Sequence, residues 1–270
     1  MGSSAKYTAI VRVIVPAAGL GKRFAPAGLD GPKELLPLGG TPVLGHALHE
    51  AARAGFDEAC IVLSPAKLEA VSAYLDKSDV AIRIHIEIQP HPLGIGDAVL
   101  RGWAGLPVGV LLPDDVVLTD QHWVDLLAAH KTHRAPVLCV RPVAYESIGR
   151  FGIAECTGDR LTRVIEKPGR GDTGSNLAIF GRYIVTESVI RTLEQGTKGP
   201  AGELELTSGF AGAIKRPPGA FVVRFTGRIY DCGTPADYER ARADFPADWR
   251  KSSGLRSRDS DPSADRRPAR

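Results

Sequence analysis

Short apolar runs alternate with longer stretches of helical spacing along most of the chain, and this alternation predicts its architecture. The β-branched run over 11–15 reads as a buried strand. Helical spacing over 44–54 stops at Gly55, followed by a strand at 59–63, a helix at 66–75 and a strand at 82–88, where Ile alternates with Arg83, His85 and Glu87. A strand at 109–112, a helix at 121–133 and a strand at 137–140 continue the series. From Gly149 onward strands crowd together, at 152–155, 161–166 and 177–183; helices return at 186–193 and 203–214, then a strand at 221–225 and a helix at 235–243. Such a series predicts an α/β fold with a mainly parallel, mixed central sheet and helices on both faces. One domain is expected over 11–243, in two parts of different texture, about 11–145 and 146–243, behind an extension at 1–10. No internal repeat or long Gly/Ser linker divides the parts.

Composition narrows the classes. The 43% share of hydrophobic residues in 270 is ordinary for a globular core. No apolar run approaches the roughly 18 residues of a membrane span and the opening MGSSAKY has no apolar centre, so a cytoplasmic protein without a membrane partner is expected. Cys60, Cys139, Cys156 and Cys232 form no C-x-x-C pair and read as buried thiols. Residues 250–270 carry seven basic against three acidic side chains, which accounts for the net charge of +3 and leaves a near-neutral body. A nucleic-acid partner is therefore not expected, and 244–270 reads as a polar, disordered basic tail. The i,i+3 pairs His46/His49 and His130/His133 read as helix-surface histidines, since no H-E-x-x-H surrounds them.

Candidate chemistry begins where the first strand empties into Ala17, Ala18, Gly19 and Gly21. Small side chains there let backbone N–H groups approach an anion or a flat base. Arg23 and Lys33 add a guanidinium fork and a mobile ammonium, a combination suited to a nucleoside triphosphate. A Walker A loop fails at both ends, at Pro16 and Arg23, and a dinucleotide fingerprint is weakened by Phe24 at its third glycine. Leu112-Pro113-Asp114-Asp115 sets carboxylates at a strand's C-terminal end, where open α/β sheets bind ligands, a position that would suit Mg²⁺ because it needs few protein ligands. Gln89-Pro90-His91-Pro92-Leu93-Gly94 is a stiff loop against which a base can lie. Glu166-Lys167-Pro168 offers an acceptor for hydroxyls and a cation for a phosphate, with Gly152 and Asn176 flanking it in sequence.

Pro16-Ala17-Ala18-Gly19-Leu20-Gly21 with Arg23, then Pro32-Lys33-Glu34-Leu35-Leu36-Pro37, resembles the signature of sugar-1-phosphate nucleotidylyltransferases. Within them it is most similar to the bacterial UTP–glucose-1-phosphate uridylyltransferases, and later segments match in order, so the resemblance spans about 11–240. It implies a Rossmann-like nucleotidyltransferase fold, with nucleotide binding in 11–145 and sugar binding in the strand-rich 146–243. UTP and glucose 1-phosphate are the implied substrates, Mg²⁺ the cofactor, and a homodimer or homotetramer the assembly. Carried over residue by residue, Arg23, Lys33 and Lys167 are implied as catalytic. Ala17, Ala18, Gly19, Gly21, Glu34, Gln89 and Gly94 are implied at the nucleotide, with Gln89 and Gly94 on the uracil. Gly152, Glu166, Lys167 and Asn176 are implied at the sugar, and Asp114 with Asp231, from the late Asp231-Cys232-Gly233 segment, at the metal. The departures are Lys22 for Thr, an unusual 27–31 loop, Asp97 for His and Ser208 for Asp. A thymidylyltransferase using dTTP is the neighbouring alternative, and a silent nucleotide-sugar binder the alternative from another class.

Overall fold

The computed structural model describes residues 10–21, 24, 31–105, 107–196, 198–199 and 202–252. Residues 1–9 of the expected extension, the catalytic candidate Arg23, its neighbour Lys22, most of the 27–31 loop and the tail beyond 252 lie outside the described residues.

The first part runs β1 (Arg12–Pro16), β2 (Pro37–Leu38), β3 (Thr41–Pro42), α1 (Val43–Arg53), β4 (Glu58–Leu63), α2 (Leu68–Leu75), β5 (Arg83–Ile88), α3 (Ile95–Gly102), β6 (Val108–Leu111), β7 (Asp115–Val116), α4 (Gln121–His133) and β8 (Val137–Pro142). The second contains β9 (Gly152–Thr157), β10 (Arg160–Glu166), β11 (Leu177–Val185), α5 (Glu187–Leu193), α6 (Leu206–Ile214), β12 (Phe221–Arg224), β13 (Tyr230–Asp231), α7 (Pro235–Asp244) and α8 (Trp249–Ser252). Among the described residues nine strands form one mixed sheet in the order β5-β4-β1-β6-β11-β8-β12-β10-β9. It is parallel from β5 to β6, and antiparallel where β11 enters between β6 and β8. Strand periodicity sends Val13 and Val15 to one core and Ile14 to the other, so the sheet lies between two helical layers, α1, α2 and α4 on one side and α3, α5 and α6 on the other.

The functional loops are placed by a crossing at β11. Leu112 donates its N–H to Gly181 O at 2.8 Å, and a Cβ on Gly181 would stand 2.7 Å from the Leu112 side chain. Only glycine permits that approach, and the β11–β8 register shifts between Phe180 and Tyr183, at the same point. A second, two-stranded pairing of β13 with β7 sets Asp231 opposite Asp115.

Two expectations are corrected. The packed chain continues past residue 243: Phe245 meets the Tyr230 ring, and Trp249 is buried with its indole donating to Gly39 O at 2.9 Å. These two aromatic residues supply enough apolar surface to dock this part of the expected tail. His46, His49 and His130 are buried, not on the helix surface. The His46 ring bonds Leu38 O at 2.8 Å and lies 4.3 Å, centroid to centroid, from the Trp249 ring.

Burial, offset only in part by the Leu38 carbonyl, lowers the His46 pKa from 6.5 to about 4. The unfolded chain therefore takes up a proton near 6.5 that the folded chain refuses until about 4. Folding stability falls with pH across that window, by an amount on the order of 3 kcal/mol for this one group. Urea unfolding of wild type and His46→Gln between pH 7 and 4 checks this: the wild type is expected to lose its advantage over the variant as the pH falls.

Candidate active site

Prolines at positions 32 and 37 bracket a single 3-10 turn, Lys33–Leu35, which hands two adjacent charges to different partners. The Lys33 ammonium pairs directly with the Asp114 carboxylate. Glu34 is buried and accepts from Lys67 Nζ at 2.7 Å, while the same ammonium donates to Ala17 O at 2.8 Å. The signature loop, the Pro-Lys-Glu turn and the carboxylate loop after β6 thus meet through two lysines. Burial works against the Lys33 charge, but Asp114 and Glu34 outweigh it and hold its pKa above the ordinary value. Burial likewise opposes ionisation of Asp114, and Lys33 more than offsets it, keeping that carboxyl below its usual range. In the second pair burial prevails on both members, raising Glu34 and lowering Lys67.

Asp114 and Asp231 reach one space. A Cβ on Gly233 would lie 3.1 Å from Asp231 Oδ1 and 3.9 Å from Asp114 Oδ2, and Cys232 N–H donates to Asp114 O at 2.7 Å. Burial and the neighbouring carboxylates raise both Asp231 and Asp115, the latter to about 6. Crowded carboxylates suit a small hard cation. Among the described residues no group of three or more His, Cys, Asp or Glu is placed to hold a metal by itself. A cation here would take most of its shell from phosphate and water, which is the habit of Mg²⁺.

Ala17 departs from one expectation. Its N–H is bound to Val62 O at 2.8 Å, so it cannot serve as a phosphate donor. Its contribution is a small, buried side chain and a carbonyl for Lys67. Ala18 is also buried, and Gly19 and Gly21 continue the loop, Gly21 with φ +62°.

On the loop after β5, Gln89 is buried and its amide nitrogen donates to Gly94 O at 3.0 Å and to Asp97 Oδ2 at 2.8 Å. Gly94 has φ +98°, and a Cβ there would meet Leu204 O at 2.6 Å, so glycine is required by the backbone itself. On the other side, Glu166 stands opposite Gly152 in the β10–β9 ladder and accepts from Thr207 at 3.1 Å. Lys167 follows with φ +44°, a left-handed conformation that costs a non-glycine residue about 1 kcal/mol or more. Its ammonium lies 3.4 Å from Glu166 Oε1. Asn176 is at the foot of β11, donating its amide to Val143 O at 2.9 Å.

Three residues of this region carry no motif. Lys67 is a lone lysine ahead of an apolar helix. Arg150 contacts Asp237 at 2.6 Å and Asp231, one of the candidate metal carboxylates, at 3.6 Å. Arg182 stands in the otherwise apolar strand LAIFGRYIV, and a charge inside such a run was the one available signal for a buried ion pair.

A family model described as "Nucleotidyl transferase" matches residues 12–247. The UTP–glucose-1-phosphate uridylyltransferase of Mycoplasma pneumoniae is 30% identical to the chain over 265 residues, covering 86% of it and 91% of that relative. The enzyme of the same name from Streptococcus pneumoniae is 28% identical over 270 residues, covering 87% and 89%. A crystal structure of a UDP-glucose pyrophosphorylase complexed with UDP-glucose superposes with a TM-score of 0.79 at 26% identity, over 87% of this chain and 98% of that one.

Proposed function

This chain belongs to the nucleotidyl transferase family, and from that premise we propose that it transfers a uridylyl group from UTP to glucose 1-phosphate, forming UDP-glucose and pyrophosphate. The observation that carries the reading is the meeting of Lys33, Asp114 and Asp231 beside the signature loop. Cation and carboxylates together match a reaction whose charge lies on phosphate oxygens. UTP and glucose 1-phosphate are favoured because the relatives described above are named for that pair.

An oxygen of glucose 1-phosphate attacks the α-phosphorus of UTP in line, the bond from that phosphorus to the bridging oxygen breaks, and the electron pair leaves with pyrophosphate. Lys167 holds the attacking phosphate and Glu166 accepts from sugar hydroxyls, with Gly152 and Asn176 shaping the same side. Lys33, and Arg23 outside the described residues, take the charge of the triphosphate and leaving group. Asp114 and Asp231 would hold Mg²⁺, which supplies charge neutralisation on the phosphates when bound. Glu34 and Lys67 keep the loop at Ala17 against the Lys33 turn.

Pyrophosphate release from UTP, dTTP, ATP, CTP and GTP, each with glucose 1-phosphate and Mg²⁺, tests the proposal. Release with UTP is expected. A dTTP preference moves the assignment to thymidylyl transfer, and no release from any triphosphate, repeated with other sugar phosphates, overturns it.

A further inference from the structure

The Gln89 amide nitrogen has two hydrogens, and both are used: one goes to Gly94 O at 3.0 Å, the other to Asp97 Oδ2 at 2.8 Å. Both partners are acceptors without a proton to return, so the amide has one orientation. The Gln89 carbonyl oxygen has no protein partner among the described residues, and it is absent from the buried side-chain atoms that lack one. It therefore keeps access to solvent or ligand. Asp97 is itself fixed on the first turn of α3: Arg101, one turn on, donates to Asp97 Oδ2 at 2.7 Å and to Ile88 O at 3.3 Å. The loop around Gly94 is tied down separately, Leu204 N–H to Leu93 O and Gly96 N–H to Leu204 O, each at 2.7 Å.

We propose that Asp97 is a positioning residue that, together with Gly94 O, makes Gln89 an acceptor only, so that the site selects a pyrimidine whose ring N3 carries a hydrogen and rejects one whose N3 is a bare lone pair. The proposal rests on the uridylyl-transfer reading, which puts Gln89 at the base. Uracil and thymine offer an N3–H to the Gln89 carbonyl. Cytosine offers a lone pair at that position, and two acceptors facing each other across a buried contact leave both unpaired. Sites that commit a buried polar group in this way discriminate more strongly than apolar ones. Without the Asp97 carboxylate only Gly94 O still holds the amide, so turning it over to present an N–H, which cytosine accepts, costs one lost acceptor contact in place of two.

The test compares KM and kcat for UTP and CTP in wild type and Asp97→Asn, with glucose 1-phosphate and Mg²⁺. The expected result is a UTP-over-CTP preference in kcat/KM that narrows by roughly ten- to a hundredfold in the variant, mainly through a higher KM for UTP and a lower one for CTP. Asp97→Ser removes the carboxylate with a shorter side chain, and the same narrowing is expected from it if Asp97→Asn does not fold. Equal loss for both nucleotides, or an unaltered preference, overturns the role of Asp97 while leaving uridylyl transfer standing. A wild type that uses CTP or ATP in place of UTP overturns both.

Discussion

Asp114→Asn is expected to lower Mg²⁺-dependent pyrophosphate release by about three orders of magnitude, equivalent to roughly 4 kcal/mol of transition-state stabilisation. The substitution keeps size and shape but removes one of two carboxylates that border the Gly233 space, and it takes the counter-charge from Lys33. Asp231→Asn, which leaves the Lys33 pair intact, is expected to raise the Mg²⁺ concentration needed for half-maximal rate. Initial rates over a Mg²⁺ titration check both, with thermal melts to establish that each variant is folded. A folded Asp114→Asn variant within tenfold of wild type would show that the metal is held elsewhere.

The second large effect is expected in stability. Arg182 is fully buried and forms a two-point pair with Glu50, both contacts at 2.6 Å. Glu50 also accepts from His122 at 2.8 Å and from the Trp123 indole at 2.7 Å. Burial pushes the Glu50 carboxyl up, but Arg182 and His122 outweigh it and hold its pKa at about 2. Its stabilisation is thus fully present above its unfolded value near 4.5 and is lost as the pH falls toward 2. Arg182→Met leaves a buried carboxylate without its counter-charge, and a loss of about 3–5 kcal/mol is expected in urea unfolding at pH 7. Adding Glu50→Gln to it is expected to recover part of that loss, because the uncompensated charge is then gone. A single-variant loss below about 1 kcal/mol would mean that water reaches the pair.

Arg182 also donates to Leu112 O at 3.0 Å and Asp115 O at 2.6 Å, on both sides of Pro113-Asp114. The ion pair therefore holds the carboxylate loop in place as well as the core. Nothing in the Leu112-Pro113-Asp114-Asp115 motif announces this dependence, because the partner is in another strand and the counter-ion in a helix 132 residues from it.

The nine strands of the main sheet and most of the helices were legible to within a few residues because each is written in consecutive positions: period two in β5, helical spacing in α1 and α4, glycine at the end of α1. Where the reading missed, a packing partner decided. The helix expected from 66 opens as a 3-10 turn at Pro65–Lys67, which delivers Lys67 to Glu34. The one expected from 203 starts at Leu206, since the backbone of Leu204 is committed to the loop before α3. His46 read as a surface residue because its cover, Phe245 and Trp249, lies about 200 residues later in a segment of tail-like composition.

By itself the sequence determined the α/β class, the signature loop with its lysine turn, and the residue types available for phosphate, sugar and metal. These are local properties, set by backbone preference and by which side chains adjoin in the chain. Only the tertiary structure decided which of them meet. The β13–β7 register puts Asp231 opposite Asp115, Gly181 admits the carboxylate loop over β11, Lys67 closes on Glu34 and Ala17, and Asp97 spends the Gln89 amide. Each joins residues whose charge or hydrogen-bonding capacity is satisfied only at a contact that register and burial create.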